Sequence, residues 1–360
     1  MQVQISAREL EDCLIYIRKA VVRTKSVISS SIGIQFLFKD GILRLYSSNG
    51  VQPCEVTFGA IACSNFNCVL EFSVLYKIVS LSESGMLELT FESDSLSIVS
   101  GKNEYNLVYL TERDYSLLIN DIRVEDTPIV EIPIAELRKA VLFLSICIPS
   151  SAMYSRFRGV NFDGNLVATN THGFAYYTMN LTIAEPLFIS IESFNLLAGM
   201  EIADGTILLH KNGNCVIASV GRARYLISLM ANAFPKYDRI VQRLNKHTHT
   251  VSIPKDLFLK ACKKLSSFVD ADRKNAVFIT ITSEEMSLAA RAETRKGKEV
   301  IAVETENISN EVSFSVNLVD ILGYATRVSD TTVRLSFNGT IDDYAIRDGG
   351  AWYIDRTLTI

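Results

Sequence analysis

The chain repeats itself, and an internal repeat limits the architectures open to it more than any single motif does. Val130-Glu131-Ile132-Pro133 is followed by Leu137, Lys139-Ala140 and Leu144-Ser145. Val251-Ser252-Ile253-Pro254 is followed by Lys260-Ala261 and Leu265-Ser266, in register at a shift of 251 − 130 = 121 residues. Near the start, Val3-Gln4-Ile5-Ser6 leads to Glu9-Leu10, which matches Glu136-Leu137 at a shift of 136 − 9 = 127 residues. Each stretch reads as a short alternating strand running into an amphipathic helix. In the first, Leu10, Cys13, Leu14, Ile17 and Val21 form one helical stripe.

A second set of starts lies midway between these. Phe72-Ser73-Val74, Ile189-Ser190-Ile191 and Phe314-Ser315-Val316 read as strand ends, followed by helices over Leu75 to Leu81, Phe194 to Met200 and Leu318 to Ala325. Alternating strands come next, at 87–91 and 96–99, 207–210 and 216–220, and 333–337 and 344–346. Turns such as Lys39-Asp40-Gly41 and Asp163-Gly164-Asn165 separate strands of this kind. The spacing predicts six β-α-β-β-β units paired into three α+β domains, at 1–126, 127–247 and 248–360, with polar boundaries near Asp126-Thr127-Pro128 and Lys246 to Thr250. Three unrelated domains would not share two independent in-register sets.

Composition supports packed cores, with 48% hydrophobic and 21% charged residues. No apolar run approaches the roughly 18–20 residues of a membrane span. Met1 to Leu10 has no signal-peptide layout. The seven cysteines (Cys13, Cys54, Cys63, Cys68, Cys147, Cys215 and Cys262) are odd in number and never spaced as CxxC. That usage suits free thiols in a reducing cytoplasm.

Enzymatic motifs are missing: no GxxxxGK, GxGxxG at a strand–helix junction, GxSxG or HExxH occurs. His247 and His249 sit two apart in a polar linker, where a solvated loop is the better reading than a metal pair, because no Cys or acidic cluster joins them. His172 serving Cys147 as a nucleophile is the one enzymatic alternative, and a turn histidine packed at a domain edge is the simpler reading. No cofactor and no metal is expected.

Net charge is −4 and the pI about 5.7, so bulk charge does not grip nucleic acid. The cations nevertheless gather on the first helices of the repeats: Arg18, Lys19, Arg23 and Lys25; Arg138 and Lys139; Lys255, Lys260, Lys263 and Lys264, beside an apolar stripe at Leu257, Phe258, Ala261 and Leu265. Acidic residues such as Glu88, Glu92, Asp94, Glu284 and Glu285 fall in strands and turns. Six helices spaced ~10 Å apart around a circle span only ~19 Å at their axes, too little for a duplex. Twelve, from two chains, span ~38 Å and leave a hole of ~28 Å, wide enough for B-form DNA and water.

Local motifs extend the case. Phe157-Arg158-Gly159-Val160-Asn161-Phe162, Val167-Ala168-Thr169-Asn170-Thr171-His172-Gly173-Phe174, Phe234-Pro235-Lys236-Tyr237-Asp238-Arg239-Ile240, Phe314-Ser315-Val316-Asn317-Leu318 and Trp352-Tyr353-Ile354 through Ile360 occur in this order. In that order and spacing the chain resembles the bacterial β sliding clamp family, the DNA polymerase III beta subunits, over nearly its whole length. The resemblance implies a DNA-clamp fold with helices lining a ring and sheets outside. It implies a head-to-tail homodimer that encircles duplex DNA without sequence preference, is opened by a clamp loader, and tethers replicative and repair polymerases as a cytoplasmic processivity factor. By resemblance, a peptide-binding groove is formed by Phe157, Thr169, Thr171, His172, Gly173, Phe174, Pro235, Arg239, Ile240, Ser315, Leu318, Ile354, Arg356, Leu358 and Ile360. Arg23, Lys25, Arg138, Lys139, Tyr154, Arg156, Lys260, Lys263 and Lys264 would face DNA, and Tyr105, Leu107 and Leu265 the dimer seam.

The chain departs from the family at three places. Gly173 stands where the family has an arginine, which is expected to leave the groove more open and less positive. Arg356-Thr357-Leu358 replaces a Met-Pro-Met style tail. Ser155-Arg156, with Tyr154 before it, replaces an aromatic pair. Competing readings are a two-domain trimeric clamp, which the third repeat opposes, an enzyme using Cys147 and His172, and a repeat-built adaptor that never touches DNA.

Overall fold

The computed structural model describes residues 1–21, 33–48, 52–61, 64–110, 122, 127–149, 156–200 and 205–358. The described residues carry the β-α-β-β-β order six times. Repeat one is β1 (Gln2–Ser6), α1 (Ala7–Ile17), β2 (Gly33–Lys39), β3 (Ile42–Ser48) and β4 (Pro53–Ala60). Repeat two is β5 (Phe66–Glu71), α2 (Phe72–Ser80), β6 (Met86–Phe91), β7 (Ser95–Ser100) and β8 (Asn103–Val108). Repeat three is β9 (Val130–Pro133), α3 (Ile134–Leu144), β10 (Gly159–Phe162), β11 (Leu166–Thr169) and β12 (Phe174–Tyr177). Repeat four is β13 (Leu187–Ser190), α4 (Ile191–Ala198), β14 (Thr206–Asn212), β15 (Cys215–Val220) and β16 (Ala223–Ser228). A short helix, α5 (Asp238–Leu244), precedes repeat five: β17 (His249–Pro254), α6 (Lys255–Leu265), β18 (Ala276–Ile281), β19 (Glu285–Arg291), β20 (Lys296–Ala302) and the three-residue β21 (Glu304–Glu306). Repeat six is β22 (Val312–Asn317), α7 (Leu318–Arg327), β23 (Thr332–Phe337), β24 (Asp343–Asp348) and β25 (Ala351–Arg356).

Successive repeats exchange their first strands. β1 pairs with β6 and β5 with β2; β9 pairs with β14 and β13 with β10; β17 pairs with β23 and β22 with β18. Two of the resulting sheets then extend through last strands, as β4 pairs with β16 and β12 with β25. The outcome is four antiparallel sheets, ordered β1-β6-β7-β8, β5-β2-β3-β4-β16-β15-β14-β9, β13-β10-β11-β12-β25-β24-β23-β17-β21 and β20-β19-β18-β22. The chain divides into two compact units, one of Met1–Arg138 with Glu192–Leu229 and one of Lys139–Ile191 with Met230–Ile360. The first holds the four- and eight-stranded sheets that contain β1 and β5; the second holds the other two.

Local chemistry explains the elements. The predicted hairpin turn at Asp40-Gly41 has φ of 54° and 74°, the left-handed pair a two-residue connection requires, and Lys39 sits opposite Ile42. Ser6 caps α1 by accepting the Glu9 N–H, and Asn317 caps α7 by accepting from Val319 and Asp320. The α1 stripe is buried at Leu10, Cys13, Leu14 and Ile17, but the helix ends before Val21. Phe72 starts α2 rather than ending a strand, because β5 closes one residue earlier at Glu71. In α6 the buried stripe is Phe258, Ala261, Cys262 and Leu265, at i, i+3, i+4 and i+7, which turns Leu257 outward against expectation.

Leu265 is the larger correction. It was expected at the dimer seam, but it is 1% exposed and part of this chain's own core. Truncating it to alanine should therefore cost about 2–5 kcal/mol of stability. A carboxylate there should abolish cooperative thermal unfolding, measured by circular dichroism, instead of yielding a folded monomer.

Candidate functional site

The site grows from the turn between β11 and β12. Asn170 places its side-chain oxygen to accept the N–H groups of His172 (3.1 Å) and Gly173 (2.7 Å), while the Thr169 hydroxyl donates to the Gly173 carbonyl at 2.9 Å and accepts the Thr171 N–H at 3.2 Å. This side-chain scaffold holds Thr171 at φ 80°, an uncommon conformation for a β-branched residue. Register then sets the neighbours: Phe174 lies opposite Ile354 where β12 meets β25. Helix α5 and the residues before it cover that sheet. Phe234, Tyr237, Ile240 and Val241 pack on a cluster of Val167, Phe174, Leu244, Ala345, Trp352 and Ile354.

Between these parts lies a pocket of about 130 Å³. Eight of the predicted groove residues line it: Thr169, Thr171, His172, Gly173, Phe174, Ile240, Ile354 and Arg356. Three further residues, Arg243, Asp343 and Asp355, also line it, and sequence reasoning missed them. The only local hint was the i, i+4 spacing of Arg243 and His247 at the end of α5, which brings two basic side chains to one carboxylate. His247 is not the solvated loop residue expected. Its side chain is fully buried, with Nε2 2.7 Å from Asp343 Oδ1 and Nδ1 3.2 Å from the Ser336 hydroxyl, so partners rather than water satisfy it. Arg243 reaches the other Asp343 oxygen at 3.6 Å.

Gly173 does not open the groove. A Cβ there would collide with the Tyr324 hydroxyl and lie 3.5 Å from Cys147 Sγ, so Tyr324 already fills the space expected to be empty. That hydroxyl donates to Asp355 at 3.2 Å. Burial raises the Asp355 carboxyl to about 6, helped by the nearby Asp320 and opposed by the Arg356 N–H, Tyr324 and His172. Burial likewise raises Asp320. Cys147 is fully buried and its thiol is pushed well up by desolvation, which suits an inert thiol and not a nucleophile paired with the exposed His172.

The remaining expected residues fall elsewhere. Phe157, half-buried beneath the Arg156 guanidinium, the exposed Pro235 and Arg239, and the buried Ser315 and Leu318 do not line the pocket. Nor does Leu358, whose N–H is donated to the Ser315 carbonyl at 2.7 Å. Ile360, Arg23, Lys25 and Tyr154 lie outside the described residues. Lys139, Arg156, Lys260, Lys263 and Lys264 are exposed, Lys264 bonded to Glu299 at 2.9 Å. Arg138 is half-buried and donates to the carbonyls of Ala198 (3.0 Å) and Met200 at the end of α4. Tyr105 is exposed and Leu107 half-buried on β8.

No family model matches the chain. By sequence it is similar to the beta sliding clamp of Rickettsia bellii, 23% identical over 320 residues, covering 83% of this chain and 82% of the relative. By structure it is similar to the DNA polymerase sliding clamp of Bacillus subtilis (TM-score 0.83, 18% identity, 100% of this chain and 99% of that one). It is also similar to the beta subunit of the Streptococcus pyogenes DNA polymerase (TM-score 0.84, 15% identity, both chains covered in full). The fold is that of the sliding clamps. Matches by sequence and by structure carry one name, and they place the chain in the β sliding clamp family as a divergent member.

Because the folded Asp355 carboxyl titrates above its ordinary value, the stability it contributes is complete below pH ~4 and lost as pH rises through about 6. Asp355→Asn should remove that loss. Relative to the native chain, the variant should gain about 2–3 kcal/mol between pH 4 and pH 7.5, measured by urea unfolding at both pH values. A pH-independent difference would mean that Asp355 is already ionised in the fold at pH 4.

Proposed function

We propose that the chain is a DNA polymerase processivity factor: two copies joined head to tail form a closed ring around duplex DNA, and polymerases are tethered through the groove beside Phe174 and Ile354. One observation carries the reading. In this fold, last strands pair with last strands, β4 with β16 and β12 with β25. β8, and β20 of repeat five, are left as sheet edges. Antiparallel pairing of β8 in one copy with β20 in the other extends the same rule, and two such seams close the assembly. Unpaired edges otherwise invite aggregation. Both edges offer apolar side chains, Tyr105 (39% exposed) and Leu107 on one and Val300 (53% exposed) on the other.

In this reading the six repeats make three domains of similar size, near 1–126, 127–247 and 248–360. Their helices line the channel, and a clamp loader opens it. Lys139, Lys260 and Lys263 give loose phosphate contacts that suit sliding, because base-specific bonds would halt it. Arg138, committed to α4, contributes less. The protein works in the cytoplasm and catalyses nothing.

Light scattering should give a species of twice 40.1 kDa. Loaded protein should stay on circular DNA and leave linearised DNA, because only a topological link is lost from free ends. Leu107→Asp combined with Val300→Asp should yield folded monomers that fail this retention assay. A double variant that remains dimeric would misplace the seam, and equal loss from circular and linear DNA would sink the ring.

The tail offers a separate check. Leu358 is tied to the Ser315 carbonyl, and Thr357 to Ile341 and Asp342. Deleting the chain from Leu358 onward removes an apolar wall worth about 1.5–3 kcal/mol to a buried anchor. Affinity for a labelled polymerase-tail peptide should fall at least tenfold with the dimer intact. Unchanged affinity would put peptide docking elsewhere.

A further inference from the structure

We infer that the groove selects peptides bearing an aspartate or glutamate beside their hydrophobic anchor, and that Arg243 reads this carboxylate; the inference rests on the groove being the docking site proposed above. The pocket floor is apolar, formed by Phe174, Ile240 and Ile354, and its volume of about 130 Å³ suits a single anchoring side chain. Two carboxylates line the same pocket, but neither is offered to a ligand. Asp355 is buried and occupied by the Tyr324 hydroxyl and the Arg356 N–H. Asp343 is 2% exposed and faces His247 and Arg243. The exposed charge-bearing side chains of the rim are His172, Arg243 and Arg356, all of the basic type. An incoming peptide therefore meets positive potential over an apolar floor.

Arg243 is distinguished from an ordinary surface arginine by what holds it. The Arg347 Nε–H donates to the Ser336 hydroxyl at 3.2 Å, Ser336 meets His247 Nδ1 at 3.2 Å, and His247 Nε2 meets Asp343 at 2.7 Å. Ser336, His247 and Asp343 are all buried, so the far carboxylate oxygen is fixed in place 3.6 Å from one nitrogen of Arg243. One edge of the guanidinium is steered by this chain of bonds, while the side chain remains 48% exposed. Its other N–H groups can accept a carboxylate in the planar, two-bond geometry that arginine favours. Pre-ordering the side chain removes much of the rotamer entropy that binding would otherwise cost. His247 and Asp343 are positioning residues in this scheme.

The test uses the full-length protein and three labelled, C-terminally amidated peptides that share a Leu-Phe anchor preceded by two aspartates, two asparagines or two lysines. Binding is followed by fluorescence anisotropy at low salt. The aspartate peptide should bind about tenfold tighter than the asparagine peptide, and the lysine peptide weakest of all. Arg243→Gln should bring the aspartate-to-asparagine ratio near one while leaving the asparagine peptide's affinity unchanged, and Arg243→Glu should invert the order. Asp343→Asn, checked for an unaltered melting curve, should shrink the ratio through looser positioning of Arg243. If all three peptides bind alike, or the ratio survives Arg243→Gln, the charge selection is wrong and the groove reading stands. If none binds, or if Ile240→Asp leaves binding intact, the groove reading fails and this inference fails with it.

Discussion

A strand edge is a row of backbone donors and acceptors that must find partners, and this chain meets that requirement by exchange. Each repeat lends its first strand to its neighbour, so β1 completes the sheet of repeat two and β5 completes the sheet of repeat one. Neither repeat of a pair is a closed structure by itself. The exchange also sets the helices, because a helix that follows a lent strand must travel from one sheet of the pair to the other. α1 runs between β1 and β2, which belong to different sheets, and it packs against α2, which makes the reverse crossing. Pairing of last strands has a further consequence for the site. β12 joins β25 in register from Phe174 opposite Ile354 to Tyr177 opposite Ala351, and this brings the Thr169–Phe174 turn beside the end of the chain. The groove is a product of satisfying an edge.

Much of this was legible in the sequence because it rests on period. Strands predicted at 87–91, 96–99, 207–210, 216–220 and 333–337 lie within β6, β7, β14, β15 and β23, since alternation decides which face is buried. Misreadings occurred where period leaves a choice. Leu257 and Cys262 both fit a stripe through Ala261 and Leu265, and only the packing of α6 selects Cys262. Leu265 shows the same limit at another scale: apolarity is visible in the sequence, but whether the chain's own core or a second copy buries it is not.

The site divides along similar lines. Residues in contiguous motifs, Thr169 to Phe174 and Ile240, were found because a turn or a short helix keeps them together. Arg243, Asp343 and Asp355 were missed because their meaning depends on separations of about a hundred residues between His247 and Asp343, or between Arg243 and Asp355. A polar residue at a strand end reads as solvated until its partner is known. Gly173 misled in the opposite direction: a missing side chain reads as open space, and the space belongs to Tyr324.

That last relation bears on how a chain 23% identical to a relative keeps the same fold while changing the chemistry of one groove. The fold asks only for alternation, turns and caps, and many sequences supply these. The groove asks for sets that fit together. Gly173 makes room for the Tyr324 hydroxyl, Tyr324 donates to Asp355, and Asp355 accepts the Arg356 N–H. An arginine at 173 is incompatible with this set whatever its value for binding, because its Cβ and the Tyr324 hydroxyl need the same volume. With that route closed, the positive charge that meets a ligand comes from the other walls, from Arg243 on α5 and Arg356 at the end of β25. Arg243 in turn depends on Asp343, and Asp343 on His247, so the cation is held by buried partners and not by chance on a mobile surface side chain. The departures at 173, 243 and 356 are therefore one arrangement, and none of them is interpretable alone.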